Sequence, residues 1–77
     1  MAAQAPRKLY KIGEVMERTD LSRQTLHNYT MLGLIQAVKR TPSGHRLYAE
    51  EVFEILERIK ELKATKTLSE IKDILGR

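Results

Sequence analysis

IGEVMERTDLSRQTLHNYTMLG, residues 12–33, holds two short apolar-periodic runs separated by a polar break. Ile12, Val15 and Met16 recur at the spacing of one helix face. Lys11 carries no capping oxygen, so the start of that helix has little local support. Thr19 and Asp20 then interrupt the pattern with two residue types that favour turns. Ser22 is an N-cap residue, able to accept a hydrogen bond from the first free N–H groups of a following helix. After it, Leu26, Tyr29 and Leu32 line one face of a second run. Gly33 stands where a helix end calls for left-handed backbone. Two short helices across a tight break are the layout of a helix-turn-helix.

Outward from this core, Ile35–Lys39 and Arg46–Tyr48 flank Thr41-Pro42-Ser43-Gly44. Proline presets φ and glycine accepts positive φ, so the spacing predicts a β-hairpin. Its tip is basic, with Lys39, Arg40, His45 and Arg46, and Tyr48 closes it onto the helices as a core residue. A third helix is expected over Ala49–Lys63, where Val52, Ile55, Leu56, Ile59 and Leu62 share a face. Beyond the connector Ala64-Thr65-Lys66, Thr67 and Glu70 fit the capping-box pattern, with Leu68, Ile71, Ile74 and Leu75 on the apolar face of a fourth helix. Upstream, MAAQAPRK shows no periodicity, and residues 1–9 are read as a flexible leader before a domain over 10–77. The expected fold is mainly α with a small β-hairpin: a winged helix-turn-helix of four helices.

Seventy-seven residues allow one domain with a small core. The sequence contains no cysteine, which removes disulfides and thiolate metal sites and fits a reducing cytoplasm. No apolar run reaches the ~18 residues of a membrane span. The net charge of +4 is unevenly placed: residues 1–48 hold eight basic and three acidic side chains, a net +5, whereas residues 49–77 hold six and seven, a net −1. A basic N-terminal part suggests a polyanion partner on that side. Catalysis finds no support, because His27 and His45 fall in different elements with no carboxylate cluster to join them. Glu50, Glu51, Glu54, Glu57 and Glu61 read as the charged face of the third helix. No metal site and no cofactor are expected.

Residues 10–75 resemble the N-terminal DNA-binding domain of the MerR family of bacterial transcription regulators. The resemblance is carried by Tyr10 and Ile12-Gly13-Glu14-Val15, by Ser22 with Thr25-Leu26, and by Leu32-Gly33-Leu34-Ile35. It continues through Arg40, Ser43-Gly44-His45-Arg46-Leu47-Tyr48 and Leu68-Ser69-Glu70-Ile71. Three departures stand out. Asp20 takes a place the family usually gives to glycine. Leu26-His27-Asn28-Tyr29 stands where members commonly read Leu-Arg-Tyr-Tyr, so His27 and Asn28 replace side chains that approach DNA in the family. Only Gly76 and Arg77 come after Leu75, where members continue into a dimerising helix and an effector domain.

The resemblance implies double-stranded DNA as the partner, with the second helix in a major groove. Candidate contacts on that helix are Ser22, Arg23, Gln24, Thr25, His27, Asn28 and Tyr29, the last packing its ring while its hydroxyl reaches a phosphate. Lys39, Arg40, His45 and Arg46 form the wing, and Lys63, Thr65 and Lys66 a second one. The isolated domain is expected to be monomeric. Full-length relatives are implied to be homodimers that act with RNA polymerase in the bacterial cytoplasm, at the nucleoid. Two rival readings are a stand-alone excisionase-like or architectural DNA-binding protein and a protein-interaction module for an acidic partner.

Overall fold

In the computed structural model, which describes residues 8–77, the chain runs β1 (Leu9–Lys11), α1 (Ile12–Thr19), α2 (Arg23–Met31), β2 (Lys39–Arg40), β3 (Arg46–Ala49), α3 (Glu51–Leu62) and α4 (Leu68–Leu75). The four expected helices and the hairpin are all present. α1 starts with help from inside the helix: Glu14 Oε1 accepts the Lys11 N–H at 3.0 Å. The lysine side chain, a donor only, makes no reciprocal bond. At the other end the chain turns through Asp20, whose φ of 57° is left-handed and whose N–H donates to the Met16 carbonyl at 3.0 Å. Ser22 Oγ then accepts the Thr25 N–H at 3.1 Å and opens α2.

α2 ends in a Schellman turn. Gly33 has φ 80°, its N–H donates to Thr30 O at 3.1 Å, and the Leu34 N–H donates to Tyr29 O at 2.9 Å. This turn corrects the expected core face of the helix. Leu32 remains 46% exposed, while Leu34 is 0% exposed. Once the chain reverses at the glycine, the residue after it folds back onto the helix and the residue before it faces outward.

The hairpin is part of a three-stranded antiparallel sheet of order β1-β3-β2. Leu9, Tyr10 and Lys11 pair with Ala49, Tyr48 and Leu47, and Lys39 and Arg40 pair with Leu47 and Arg46. Three expectations change with it. Most of the leader lies outside the described residues, but Leu9 belongs to the sheet. The first hairpin strand shrinks to Lys39–Arg40, because Ile35 is buried as loop, 1% exposed, rather than extended along the sheet. Ala49 ends β3, so α3 begins two residues later than expected.

Tyr10, Val15, Leu26, Tyr29, Leu34, Ile35, Tyr48, Val52, Leu56, Ile59 and Ile71 form one buried cluster drawn from every helix. Each large side chain in it contributes about 1.5–3 kcal/mol through burial. Phe53, half-buried, meets the Tyr10 ring edge-on at 4.9 Å and 84°, and the Arg18 guanidinium lies 4.0 Å from the Phe53 ring centre. α4 carries the full capping box: Thr67 Oγ1 accepts the Glu70 N–H at 3.2 Å and Glu70 Oε1 accepts the Thr67 N–H at 3.0 Å. The backbone N–H of Thr67, then its side chain, hold the Glu70 carboxyl below its usual value. Ile71 anchors this helix, whereas Ile74 is 47% exposed and lies off the buried face.

Candidate nucleic-acid interface

α2 buries Leu26 and Tyr29 and turns Arg23, Gln24, His27, Asn28 and Met31 outward. Its N-terminus is well defined, since Ser22 Oγ also donates to Thr25 Oγ1 at 2.9 Å. Both hydroxyls are therefore committed first to the cap. The N–H groups of Arg23 and Gln24, at the first positions of the helix, have no partner within it. One turn further on, Gln24 Nε2 donates to Asn28 Oδ1 at 3.0 Å.

The wing is fastened to this helix by a part-buried bond between side chains. Thr30 Oγ1 gives its hydrogen to the Leu26 carbonyl at 2.8 Å, so at the 2.9 Å contact with Tyr48 Oη the tyrosine is the donor. Tyr48 is 1% exposed and belongs to β3, so the bond joins strand to helix through the core. The tip beyond it is also held. The Thr41 N–H donates to His45 O at 2.8 Å, Gly44 takes φ 91°, and Thr41 Oγ1 accepts the His45 N–H at 3.0 Å. Ser43 Oγ lies 3.0 Å from both Thr41 Oγ1 and His45 Nδ1, which sets the direction of the imidazole.

Two surfaces result. A groove of about 800 Å³ between α1, α2 and β3 brings Arg23, Gln24 and His27 of the helix together with His45 and Arg46 of the wing. Lys11 at the end of β1 and Glu14 and Glu17 of α1 form its third wall, so this groove mixes charges. The neighbouring surface, between the end of α2 and the wing, is lined by Thr30, Met31, Val38, Lys39, Arg40 and Arg46, and every charged residue on it is a cation. Arg46 borders both. It also stands directly across the β2–β3 ladder from Arg40. Like charges in opposed cross-strand positions are destabilising. The wing holds them together with no carboxylate among the described residues of that surface.

Residues 11–48 match the sequence profile of the MerR family regulatory protein, from the end of β1 to the tyrosine that fastens the wing. The chain belongs to the MerR family. It is 34% identical over 68 residues to the mercuric resistance operon regulatory protein of Bacillus cereus, covering 87% of this chain and 52% of that protein. It is 39% identical over 57 residues to the nodulation protein NolA of Bradyrhizobium elkanii, covering 74% of this chain and 26% of that one. With the HTH-type transcriptional regulator YfmP of Bacillus subtilis it shares 43% over 53 residues, 69% of this chain and 38% of that protein. The crystal structure of a MerR-family transcriptional regulator from Bacillus cereus superposes with a TM-score of 0.80 at 27% identity, covering 91% of this chain and 53% of that chain. This chain thus spans from about a quarter to about half the length of these relatives.

Within this MerR-family domain the expected site residues separate into groups. Arg23, Gln24, His27, His45 and Arg46 meet in one groove, and Lys39 and Arg40 meet Arg46 on the next surface. Asn28 lines neither and is held through Gln24. Tyr29 is 4% exposed, so its ring belongs to the core. Among the described residues its hydroxyl makes no hydrogen bond and no buried side-chain polar atom lacks a partner, which leaves that oxygen at the surface. Lys63 Nζ lies 5.9 Å from the Tyr29 ring centre and shares a cleft with it, beside Arg18, Asp20 and Lys60. Thr65 and Lys66 are exposed in the connector and join neither groove. Sequence reasoning missed Lys11 as a groove residue and Thr30 as the anchor of the wing. Among the described residues no group of three or more His, Cys, Asp or Glu is placed to hold a metal, and no helix is long and apolar enough to cross a membrane.

Proposed function

We propose that this MerR-family domain binds double-stranded DNA as the DNA-binding part of a transcription regulator, with α2 in a major groove and the β2–β3 wing on the adjoining backbone. The observation that carries this is the Arg40–Arg46 pair, opposed on a wing that the Tyr48–Thr30 bond holds against the exposed edge of α2. Two cations kept together at a cost to the fold are relieved by a polyanion. Arg23, Gln24, His27 and Asn28 face the base edges. Lys39, Arg40 and Arg46 take phosphates, and His45 stands beside them with its ring oriented. Ser22 and Thr25 support the helix start. Lys63 with the Tyr29 hydroxyl makes an outer backbone contact, flanked by Thr65 and Lys66.

The family resemblance extends this reading to a full-length bacterial, cytoplasmic regulator that is a homodimer with RNA polymerase as its second partner. The isolated domain is a monomer that binds one half-site. Fluorescence anisotropy with a mixed-sequence duplex tests the reading. Each phosphate contact adds about 0.9 to the slope of log K against log salt. Lys39, Arg40, Arg46 and Lys63 together therefore give a slope of about −3 to −4. Absence of duplex binding, with retention of an acidic protein partner on the same surface, would overturn it.

A further inference from the structure

We propose that the exposed edge of α2 reads A·T base pairs rather than G·C, through the Gln24–Asn28 amide pair and an apolar contact from Met31. The inference rests on the DNA-binding reading and adds which bases that surface selects. Gln24, Asn28 and Met31 are spaced four and three residues apart, so they stack along one face of the helix.

The chemistry of the stripe is unusual for guanine. Reading guanine in the major groove is the work of a long cation that donates twice, to O6 and N7. Arg23 occupies the first position of α2, and the helix from Gln24 to Met31 contains no lysine or arginine. It carries instead a pair of amides already joined at 3.0 Å, Gln24 Nε2 to Asn28 Oδ1. That bond sets the Asn28 amide in one orientation. It leaves both Nδ2 hydrogens and a second lone pair on Oδ1 free. A donor beside an acceptor matches the N7 acceptor and N6 donor of adenine. Because Gln24 holds the amide in place, less side-chain freedom is lost on binding.

A second observation points the same way. Met31 is 66% exposed and Val38 58%, and both line the surface whose charged members are Lys39, Arg40 and Arg46. Exposed apolar side chains whose charged neighbours are all cations suit a ligand that is anionic at its edges and carries methyl groups between them. A duplex presenting thymine C5-methyl groups in its major groove is such a ligand. Apolar docking of an acidic protein would leave the free amide pair beside it without a role.

The test is selection from a duplex library with a randomised core, followed by anisotropy on the selected sequence and its single-pair substitutions. At the position read by Asn28, A·T is expected over G·C by about 5- to 150-fold, the range of one good bidentate contact. Asn28→Ala brings the ratio at that position close to one, and Asn28→Arg moves it toward guanine. Replacing one thymidine by deoxyuridine removes only the methyl group. It is expected to weaken binding several-fold for the native chain and to leave Met31→Ala indifferent. All these side chains are exposed, and matching thermal melts show that the variants remain folded. Selection of G·C along the stripe, or duplex retention with no base preference, overturns the inference and leaves DNA binding standing. Failure to retain any duplex overturns both.

Discussion

Arg46→Gln should strengthen the fold and weaken the complex. Arg46 sits on β3 opposite Arg40, with its side chain half-buried between the two surfaces. Glutamine keeps most of the packed stem and removes the charge. Opposed cross-strand pairs are worth about 0.2–1 kcal/mol, and a like-charged pair costs a similar amount. Relieving it raises Tm by up to about 8 °C, given that 1 kcal/mol moves the midpoint of a 60–100-residue domain by about 4–8 °C. The gain fades at high salt, because the Debye length falls from about 10 Å at 0.1 M to about 3 Å at 1 M. On DNA the sign reverses. Losing one phosphate contact reduces the salt slope by about 0.9, so wild type and variant converge by about 3.5-fold between 50 and 200 mM salt. Thermal melts by circular dichroism and anisotropy titrations at three salt concentrations give both quantities from one preparation. A variant that melts lower than wild type, with an unchanged salt slope, would show that Arg46 serves packing and that the paired cations are no binding device.

The same geometry makes three further perturbations informative. Asp20 holds a left-handed φ of 57°, which costs a non-glycine residue about 1 kcal/mol or more, so Asp20→Gly should raise Tm by about 4–8 °C in a calorimetric scan. Tyr48→Phe removes the donor that joins β3 to α2 and should lower stability by about 0.5–1.5 kcal/mol in a urea titration; an unchanged midpoint would mean that packing alone holds the wing. Glu70 titrates below the ordinary 4.5 because the Thr67 backbone and side chain favour its charged form. Its contribution is therefore complete above that ordinary value and is lost as pH falls through the lower folded-state value. Glu70→Gln should flatten that acid-side loss in melts between pH 3 and 6, and an acid limb of the same steepness in the variant would place the titration elsewhere.

The parts of the fold legible in the sequence are those with local chemical signatures. Ser22, Gly33 and the Thr67–Glu70 box each act within a few residues, and α2 starts and stops, and α4 starts, where these residues place them. β1 was not legible, because three residues carry no periodicity and their partners lie thirty-six to forty positions away along the chain. Leu34 takes the core place expected of Leu32 for a geometric reason, since the Schellman turn decides which of the two faces the core. The candidate site divides in the same way. Arg23, His27, His45 and Arg46 could be named from residue type and position. That they share one groove depends on the Tyr48–Thr30 bond between residues eighteen apart, which leaves no local trace. Lys11 entered the groove only because β1 pairs with β3 and carries it there.

The central claim, that α2 and the wing form one DNA-binding face, is tested most directly by an amide chemical-shift titration with a short duplex at two salt concentrations. Shifts concentrated at residues 22–31 and 38–48, and weaker at the higher salt, are the expected result. Shifts confined to α3 and α4, or none at all, would contradict it.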